Sequence, residues 1–507
     1  MTIRTEQLRR RKRSIERRLE NSSAADRGRP MLAPAGIKYE LAERAHGICF
    51  GGIGAMLQFA NQIGLTSEID RRLHLLMIHK PYHESDHVLN LAFNALCRGS
   101  CLEDIELRRN DEVFLDALGT ERIPDPTTAG DFCRRFAESD IRTLMDVFDS
   151  VRMRVWSQQP ARFFEQATID MDGSLVETTG DCKKGMDISY KGIWGYHPLI
   201  VSLAETGEIL RVVNRSGNRP SHEGAAREVD SVIGLCEQGG FQRILLRGDT
   251  DFTQTRKLDA WDENPRVRFI FGMDATPNLH VLADDLPRSA WKRLRRPPRY
   301  EVKTERRRKP RNVKERIVRE REFENIRLKS EEVAEFRYSP TACKKTYRVV
   351  VVRKNLAIEK GQSHLFDDYR YFFYITNDWE SSPQEIVLSA NQRCNQENLV
   401  EQLKNGVRSL AAPVDSLLSN WAYMVMTSLA WNLKAWFALS LPEDGRWTQR
   451  RQQEKQRVLS MEFKRFVGSF IMLPCQIVKT GGQIIYRLLG WNPDLPIFRR
   501  FLMALQE

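Results

Sequence analysis

The chain has 507 residues, of which 41% are hydrophobic and 29% are charged. This balance is typical of a globular protein with several cores, and it excludes a wholly disordered or collagen-like chain. The 79 basic residues exceed the 67 acidic ones for a net charge of +12, which points to a polyanionic partner only where the excess is clustered. Nine scattered cysteines without a CxxC pair argue against a disulfide scaffold or structural zinc and favour reduced, cytoplasmic thiols.

Two segments carry the basic excess. The first is an arginine and lysine run at residues 9–13, within a segment 1–45 that predicts a basic arm, disordered or partly helical. No apolar run follows it, so no secretory signal is predicted. The second is residues 288–329. Binding of such clusters to phosphates releases counterions, so both favour nucleic acid as a partner; a loose solvated tail is an equal alternative for the first.

Residues 46–158 predict a helical domain. Apolar residues recur at helical spacing over 86–98, and Thr127 or Thr128 is a plausible N-cap for a later helix through Phe132. A helical bundle that recognises DNA would have this pattern. A bundle that only packs would have it too, because no basic recognition helix stands out.

The pattern changes near residue 159 to strands that alternate with helices. Strands are predicted at 166–178, 197–203, 209–214, 242–247 and 267–272, and helices at 223–237 and from about 253. The second and third strands flank the turn Thr206-Gly207 and predict an antiparallel hairpin. Residues 274–375 then alternate basic runs with strand-like pieces, and helices resume at 383–407 and 414–439. This order predicts a mixed α/β core interrupted by a β-rich insertion.

The best candidate for a membrane span is the apolar segment 417–433. It contains Asn420 and Asn432 and falls short of the about 20 uninterrupted apolar residues that a span requires. We therefore expect a buried core helix and no membrane partner. The chain has no Walker-type loop, so no nucleotide cofactor is predicted either.

Three acidic residues stand out by their positions. Asp172 and Asp249 each follow an apolar strand, and Glu397 lies on the helix predicted over 383–407. Strand ends and adjoining helices can gather carboxylates at one edge of an α/β sheet, where hard divalent cations relieve their repulsion. Two Mg²⁺ ions about 3.5–4 Å apart would activate a water and stabilise a leaving oxygen during attack on a phosphodiester.

The helix around Glu397 adds to this prediction. Arg393, Glu397, Glu401 and Lys404 follow at i, i+4, i+8 and i+11, so one unbroken helix would carry all four on one face. A carboxylate between two cations could hold a metal ion and contact phosphate oxygens together. Taken alone, the helix is more simply a solvated face of weak ion pairs.

Nearby residues offer alternatives. Asp170 faces the same side of its strand as Asp172, so strand alternation cannot separate them. Asp251 is a similar neighbour of Asp249, although Gly248 favours Asp249 because it allows close backbone approach to a ligand.

Other polar and aromatic residues have more ordinary interpretations. His197 and His222 are expected to be structural or to face DNA. Trp194 and Tyr196 could stack on a flipped base, but a core role in the hairpin is more common.

The spacing Arg393-x3-Glu397-x6-Lys404 resembles the Tyr-x2-Arg-x3-Glu-x6-Lys signature of DDE transposases from bacterial insertion sequences. Further blocks are similar to one large group of these enzymes, which has an RNase H-like fold with a β-rich insertion before the Glu. They are Asp172-Gly173-Ser174, Gly195-Tyr196-His197-Pro198-Leu199, Arg247-Gly248-Asp249 and Cys394-Asn395-Gln396-Glu397-Asn398. The similarity covers roughly residues 80–440.

The resemblance implies an α/β, RNase H-like catalytic core and a specific set of site residues. Asp172, Asp249 and Glu397 would be the catalytic triad that binds Mg²⁺, with Mn²⁺ as the alternative metal, and Arg393 and Lys404 would contact phosphate. The family pattern has Asp closely followed by Ser or Thr, which favours Asp172 over Asp170. Only Glu397, and not Glu401, satisfies both signature spacings.

The implied partners are double-stranded DNA, at the element ends and at the target, and a second copy of the chain in the DNA complex. The implied location is the bacterial cytoplasm, at the nucleoid when DNA is bound. The signature Tyr position is Ala390 here. This departure keeps two alternatives open: an inactive DNA-binding protein derived from a transposase, and an RNase H-like nuclease without strand transfer.

Together these observations predict six regions. They are a basic arm at 1–45, a helical DNA-binding domain at 46–158, the first part of the core at 159–273, a basic β-rich insertion at 274–375, the second part of the core with the Glu397 helix at 376–440, and a C-terminal region of unassigned role at 441–507.

Overall fold

The computed structural model describes residues 5–20, 46–180, 182–296, 327–359, 362–363 and 369–505. Most of the basic arm predicted over 1–45, and residues 297–326 of the internal basic cluster, lie outside the described residues. The basic run at residues 9–13 lies within the described residues, on the helix Thr5–Glu20, so this part of the arm is helical.

The described α-helices divide into a long N-terminal series, helices that pack on the central sheet, and a C-terminal series. They are Thr5–Glu20, Ile53–Gln62, Leu65–Arg72, Glu84–Leu96, Glu106–Arg109, Glu112–Leu118, Pro126–Arg134, Glu138–Trp156, Ala225–Gly239, Thr255–Glu263, Pro277–Asp284, Pro383–Gln392, Cys394–Glu401, Leu417–Leu439, Thr448–Leu459, Phe463–Phe466 and Leu495–Ala504. Two π-helical turns, Gln402–Gly406 and Val467–Ile471, each continue directly from a helix.

The described strands, numbered in chain order, form one large sheet and two small ones. They are β1 Gly47–Ile48, β2 Ala167–Gly173, β3 Val176–Glu177, β4 Asp187–Ile188, β5 Trp194–Tyr196, β6 Leu199–Leu203, β7 Glu208–Val213, β8 Ile244–Gly248, β9 Val267–Met273, β10 Lys292–Arg293, β11 Arg327–Tyr338, β12 Tyr347–Glu359, β13 Gln362–Ser363, β14 Tyr369–Thr376, β15 Cys475–Thr480 and β16 Gln483–Leu488.

The large sheet has the order β10-β11-β12-β14-β9-β8-β2-β6-β7, with β13 paired to β12. Strands β2, β6 and β7 pair antiparallel in sequence order, and β8 and β9 then add in parallel on the other side of β2. This is an RNase H-like arrangement, so the predicted mixed α/β core is confirmed. The hairpin predicted around Thr206-Gly207 is also confirmed as β6 and β7.

The strands of the 274–375 region continue the core sheet. Strand β14 pairs antiparallel with β9, and β12 and β11 follow in the same sheet. In β12 the side chains of Val349 and Val351 join the main core, whereas Val350 and Val352 join a second cluster on the opposite face. A strand buried on both faces needs this continuous apolar sequence rather than an alternating one.

The helix Leu417–Leu439 is buried along almost its whole length. Its polar groups bind the backbone of the edge strand β7: Asn432 accepts from Ile209 N at 2.9 Å and donates to Ile209 O at 3.0 Å, and Trp421 donates to Val212 O. These bonds explain how asparagine and tryptophan are accommodated in a buried helix. Among the described helices, none is both long enough and apolar enough to cross a membrane.

The C-terminal region packs against the N-terminal helices. Strand β1 pairs with β15, and Tyr486 Oη donates to Ala117 O at 2.6 Å. The ring of Phe501 lies 5.2 Å from that of Phe59 and 4.0 Å from that of Phe437 on the long helix. Residues 46–158 and 441–507 therefore share one hydrophobic core with the catalytic sheet.

Two details predicted from the sequence are wrong. Asp125, not Thr127 or Thr128, caps the helix Pro126–Arg134, since its carboxylate accepts from Thr128 N at 2.8 Å. A carboxylate is well placed there because it satisfies free N–H groups and the helix dipole favours negative charge.

The helix predicted over 383–407 is also not continuous. It breaks at Arg393 between Pro383–Gln392 and Cys394–Glu401, and the π-helical turn Gln402–Gly406 follows. At the break Gln396 N bonds to Arg393 O, a tighter connection than an α-helix makes. Arg393, Glu397, Glu401 and Lys404 therefore do not lie on one unbroken helical face.

Candidate active site

Two aspartates lie at one edge of the central sheet. Asp172 is near the end of β2, and Asp249 directly follows β8. Strands β2 and β8 are parallel neighbours, with Asp170 opposite Arg247 in the register. Because strands β2 and β8 run in the same direction, their C-terminal ends bring the two aspartates to the same edge of the sheet, as the sequence predicts.

Arg393 lies between these two aspartates. Its Nη1 is 3.9 Å from Asp172 Oδ2 and 3.8 Å from Asp249 Oδ2, so the two carboxylate oxygens can be no farther apart than the sum of these distances. Within the described part of the chain this Nη1 is buried and makes no hydrogen bond. Arg393 lies at the break between the helices Pro383–Gln392 and Cys394–Glu401.

The charged forms of the Asp172 and Asp249 carboxylates are disfavoured by their surroundings. The pKa of Asp172 is raised to about 6, chiefly by burial; the charge of Arg393 opposes this rise, and the negative charges of Asp249 and Glu397 contribute to it. Burial also raises the pKa of Asp249, again against the charge of Arg393. One arginine therefore does not fully compensate the desolvated negative charge, and the site favours an additional cation.

Glu397 is near this pair but is not in contact with it. It is solvent-exposed on the helix Cys394–Glu401, and its charge reaches Asp172. Among the described residues, no group of three or more His, Cys, Asp or Glu side chains is close enough to hold a metal ion. The structure thus brings Asp172, Asp249 and Arg393 together, and Glu397 acts on Asp172 through its charge.

Lys404 also faces the acidic pair. It lies in the π-helical turn Gln402–Gly406 and is partly buried, and burial lowers its pKa while the charges of Glu401 and Asp172 act in the opposite sense. The positive charge of Lys191 lowers the pKa of Lys404 further, so Lys191 is nearby as well. All five predicted site residues therefore lie within electrostatic reach of one sheet edge.

The alternatives to the predicted aspartates have other partners. Asp170 is buried in a two-point salt bridge with Arg247, at 2.7 and 2.8 Å. Asp251 is exposed, and only its backbone N–H turns inward to donate to Asp249 Oδ1 at 3.1 Å. Asp170 is therefore committed to a structural ion pair, and Asp251 helps to orient Asp249.

The alternative to Glu397 also has its own partner. Glu401 accepts a hydrogen bond from Asn405 Nδ2 at 2.6 Å and is exposed. Its charge acts on Lys404 but is not among the largest effects on Asp172. This geometry favours Glu397 as the third acidic residue.

Sequence reasoning missed Gln396. Its side chain is buried, accepts from Ser202 Oγ and donates to Ile200 O at 3.3 Å, so it fastens the Glu397 helix to β6. Ile200 is the register partner of Asp172. The sequence could have indicated this inward position, because Gln396 lies three residues before Leu399 and seven before Leu403, on the same apolar side of the helix.

His197, Gly173 and Tyr196 have structural roles near Asp172. His197 is buried, with Nδ1 2.9 Å from Arg219 O, and burial lowers its pKa. A Cβ on Gly173 would lie 2.7 Å from His197 Nε2, so glycine is needed beside Asp172 for the imidazole to fit. Tyr196 is fully buried and donates to Lys184 O at 2.9 Å, as expected for a core residue.

Ala390 takes part in hydrophobic packing. It packs against the second hydrophobic cluster, which includes Val350, Val352 and Ile386, and so does Tyr374 on β14. The position that is Tyr in the signature is therefore occupied by a small residue, which packs the helix Pro383–Gln392 against the sheet.

The donor set fits a divalent metal ion. Asp172 and Asp249 offer oxygen ligands, which hard cations prefer, and their burial leaves negative charge that such an ion would neutralise. Among the described residues no three such side chains are close enough to share an ion, so Asp172, Asp249 and Glu397 would have to approach one another to do so.

Comparison with known proteins identifies a family for the chain. The family described as Transposase DDE domain group 1 matches residues 49–507. A solved piggyBac transposase synaptic complex with hairpin DNA is 12% identical, with a TM-score of 0.38, over 83% of this chain and 81% of that chain. No curated protein matches the sequence. Because the family match spans nearly the whole sequence, the chain belongs to the DDE transposase family.

Proposed function

We propose that this chain is the transposase of an insertion sequence. It binds the terminal inverted repeats of the element and catalyses Mg²⁺-dependent cleavage and strand transfer. The observation that carries the proposal is the convergence of Asp172 and Asp249 on Arg393 at the sheet edge. The order of these residues along the chain, with Glu397 and Lys404 after the insertion, supports the same conclusion.

Each residue of the site has a proposed role. Asp172, Asp249 and Glu397 would hold Mg²⁺, or Mn²⁺ in its place. When bound, such an ion makes a hydroxyl nucleophile more acidic and neutralises charge on the leaving oxygen. Arg393 and Lys404 would donate to the non-bridging phosphate oxygens, and the planar guanidinium of Arg393 suits two parallel hydrogen bonds.

Cleavage and joining are two attacks of the same kind. A water oxygen attacks the phosphorus, the P–O3′ bond breaks, and the strand ends in a 3′-OH with a 5′-phosphate on the other side. That 3′-OH then attacks a phosphodiester of the target in line, so one P–O bond forms as another breaks. Arg393 and Lys404 keep the phosphate oriented for both attacks. No protein–DNA bond forms, and a trapped tyrosine–DNA adduct would contradict the proposal.

The partners follow from this chemistry. Double-stranded DNA is the substrate at the element ends and at the target, and the helical region 46–158 and the basic region 274–375 would grip it. A reaction that joins two ends requires two copies of the site, so we infer a homodimer in the DNA complex. Such a protein would act in the bacterial cytoplasm, on the nucleoid.

A pair of isosteric variants tests the proposal. Purified protein is incubated with end DNA and Mg²⁺, and nicked and joined products are separated on denaturing gels. Glu397→Gln should abolish both products, with a rate loss of about 10³-fold or more, because one ligand carboxylate is lost. Glu401→Gln is the matched control, since it is equally exposed one turn away, and it should keep most activity.

Other outcomes identify the alternatives. Equal activity of wild type and Glu397→Gln would remove Glu397 from the mechanism. Nicks without joined products would identify a nuclease of the same fold. DNA binding without either product would identify an inactive DNA-binding relative.

A further inference from the structure

A small sheet beside the active site exposes aromatic side chains. The sheet has the order β3-β5-β4. Trp194 on β5 is 52% exposed and Tyr190 in the adjoining turn is 82% exposed. Ile188, directly opposite Trp194 in the register, is exposed as well. Large apolar side chains rarely cluster on a free surface without a partner that covers them.

This surface is held in a fixed shape. Ser189 closes the turn that carries Tyr190, since its Oγ accepts from Ile193 N at 3.1 Å and its O accepts from Gly192 N at 2.8 Å. Tyr196 anchors β5 in the core, and Lys184 N donates to Asp415 O at 2.7 Å beneath the sheet. The aromatic rings are thus presented by anchored backbone rather than by a loose loop, which lowers the entropic cost of binding.

The surface also adjoins the acidic pair and carries positive charge. Strand β5 leads within a few residues into β6, which pairs with the end of β2 at Asp172. Lys191 Nζ lies 5.4 Å from the centre of the Tyr190 ring, and its charge acts on Lys404. A cation beside exposed aromatic rings, next to the residues proposed to bind phosphate, complements a nucleic acid strand.

We propose that Trp194 and Tyr190 stack on unpaired bases of the DNA strand whose phosphate enters the active site. This inference rests on the proposed function, because it takes DNA as the substrate. Bases inside a duplex stack on each other and offer only their edges, so away from a duplex end an exposed ring can stack only on a base that is unpaired. The site therefore binds DNA that is opened next to the cleavage position, with Lys191 contacting the backbone.

Binding measurements on two DNAs test this. One is a duplex with a short single-stranded overhang that contains the fluorescent adenine analogue 2-aminopurine, and the other is the same duplex with blunt ends. Both are titrated with full-length protein in EDTA, so no cleavage occurs. Trp194→Ala should weaken binding to the overhang DNA about 5- to 150-fold, the loss of one base stack, with little change for blunt DNA. It should also restore the quenched 2-aminopurine fluorescence.

Three further variants complete the test. Tyr190→Ala should have a similar but smaller effect. Because the Tyr190 ring is highly exposed, its removal should not disturb the fold, so a loss of DNA binding can be attributed to the ring itself. Trp194→Phe should retain most of the preference for overhang DNA, because it keeps an aromatic face. Trp447→Ala is the matched control, since Trp447 is also exposed, at 58%, but lies in the C-terminal region.

Two results would overturn the inference. Equal losses for overhang and blunt DNA would mean that the rings contact duplex or only support the fold. Unchanged binding of all variants to both DNAs would mean that another partner, such as a protein, covers this surface. Both results are distinct from a failure of the proposed function, which is measured by cleavage and joining with wild-type protein and Mg²⁺.

Discussion

Asp170 and Asp172 are two residues apart on one strand and have different roles. Asp170 neutralises the buried Arg247, so Asp170→Asn leaves an uncompensated charge and should lower the free energy of unfolding by about 3–5 kcal/mol. Asp172→Asn should not destabilise the protein but should abolish cleavage, since burial already disfavours the charged Asp172 carboxylate. Urea unfolding together with the cleavage assay compares them, and a stable, active Asp170→Asn with an unfolded Asp172→Asn would reverse the assignment.

The buried Lys434 gives a second prediction at the residue scale, which concerns how the stability of the protein changes with pH. It is buried, donates to Leu459 O at 2.8 Å, and burial lowers its pKa to about 7. The unfolded chain therefore binds more protons than the folded chain between about pH 7 and the ordinary lysine pKa, so the stability attributable to this group rises with pH across that window. Lys434→Met should stabilise the protein by about 2 kcal/mol at pH 7, and the gain should shrink toward pH 10.

The control for this prediction is Lys257→Met. Lys257 is 42% exposed in a surface ion pair with Asp230, so its replacement should change stability by no more than about 0.5 kcal/mol at either pH. Urea unfolding at pH 7 and pH 10 measures both variants. Destabilisation by Lys434→Met at pH 7 would show that the hydrogen bond to Leu459 outweighs the desolvation of the amine.

At the scale of elements, the short helix Cys394–Glu401 depends on its attachment to β6. Gln396→Leu removes the bonds to Ser202 and Ile200, so Glu397 should lose its alignment with Asp172. We expect kcat to fall about 10–100-fold, with KM for DNA changed much less, because a small displacement is enough to impair catalysis. Single-turnover cleavage measures the effect. Gln456→Leu, at an exposed position, is the control, and a similar loss in that variant would contradict a specific role for Gln396.

At the scale of the whole molecule, the C-terminal region is a structural part of the catalytic unit. Phe501 is fully buried against Phe59 and Phe437. Phe501→Ala should cost about 3–5 kcal/mol, because a cavity opens where three segments meet. The exposed Phe372→Ala should cost far less. If a truncation that removes residues 441–507 folded and cleaved DNA normally, the region would be dispensable for the fold.

The sequence by itself determined the α/β class and most strand positions, and it predicts which acidic residues form the site. Strand periodicity and turn signals act locally, and the spacing from Arg393 to Lys404 lies within one short segment. Two other predictions that also rested on local patterns were wrong. Asp125 replaced the threonines as the helix cap, and the Glu397 helix broke at Arg393.

Only the tertiary structure decided that Asp170 is neutralised in the core, whereas the family pattern in the sequence already favoured Asp172 as the site residue. Asp170 and Asp172 share a strand face, and the difference arises from Arg247 on the adjacent strand, far away in sequence. The same holds for Gln396, whose partners lie on β6, and for the strands of the 274–375 region, which extend the core sheet. These features depend on pairing between distant segments, and the free energy of such pairing cannot be read from local pattern.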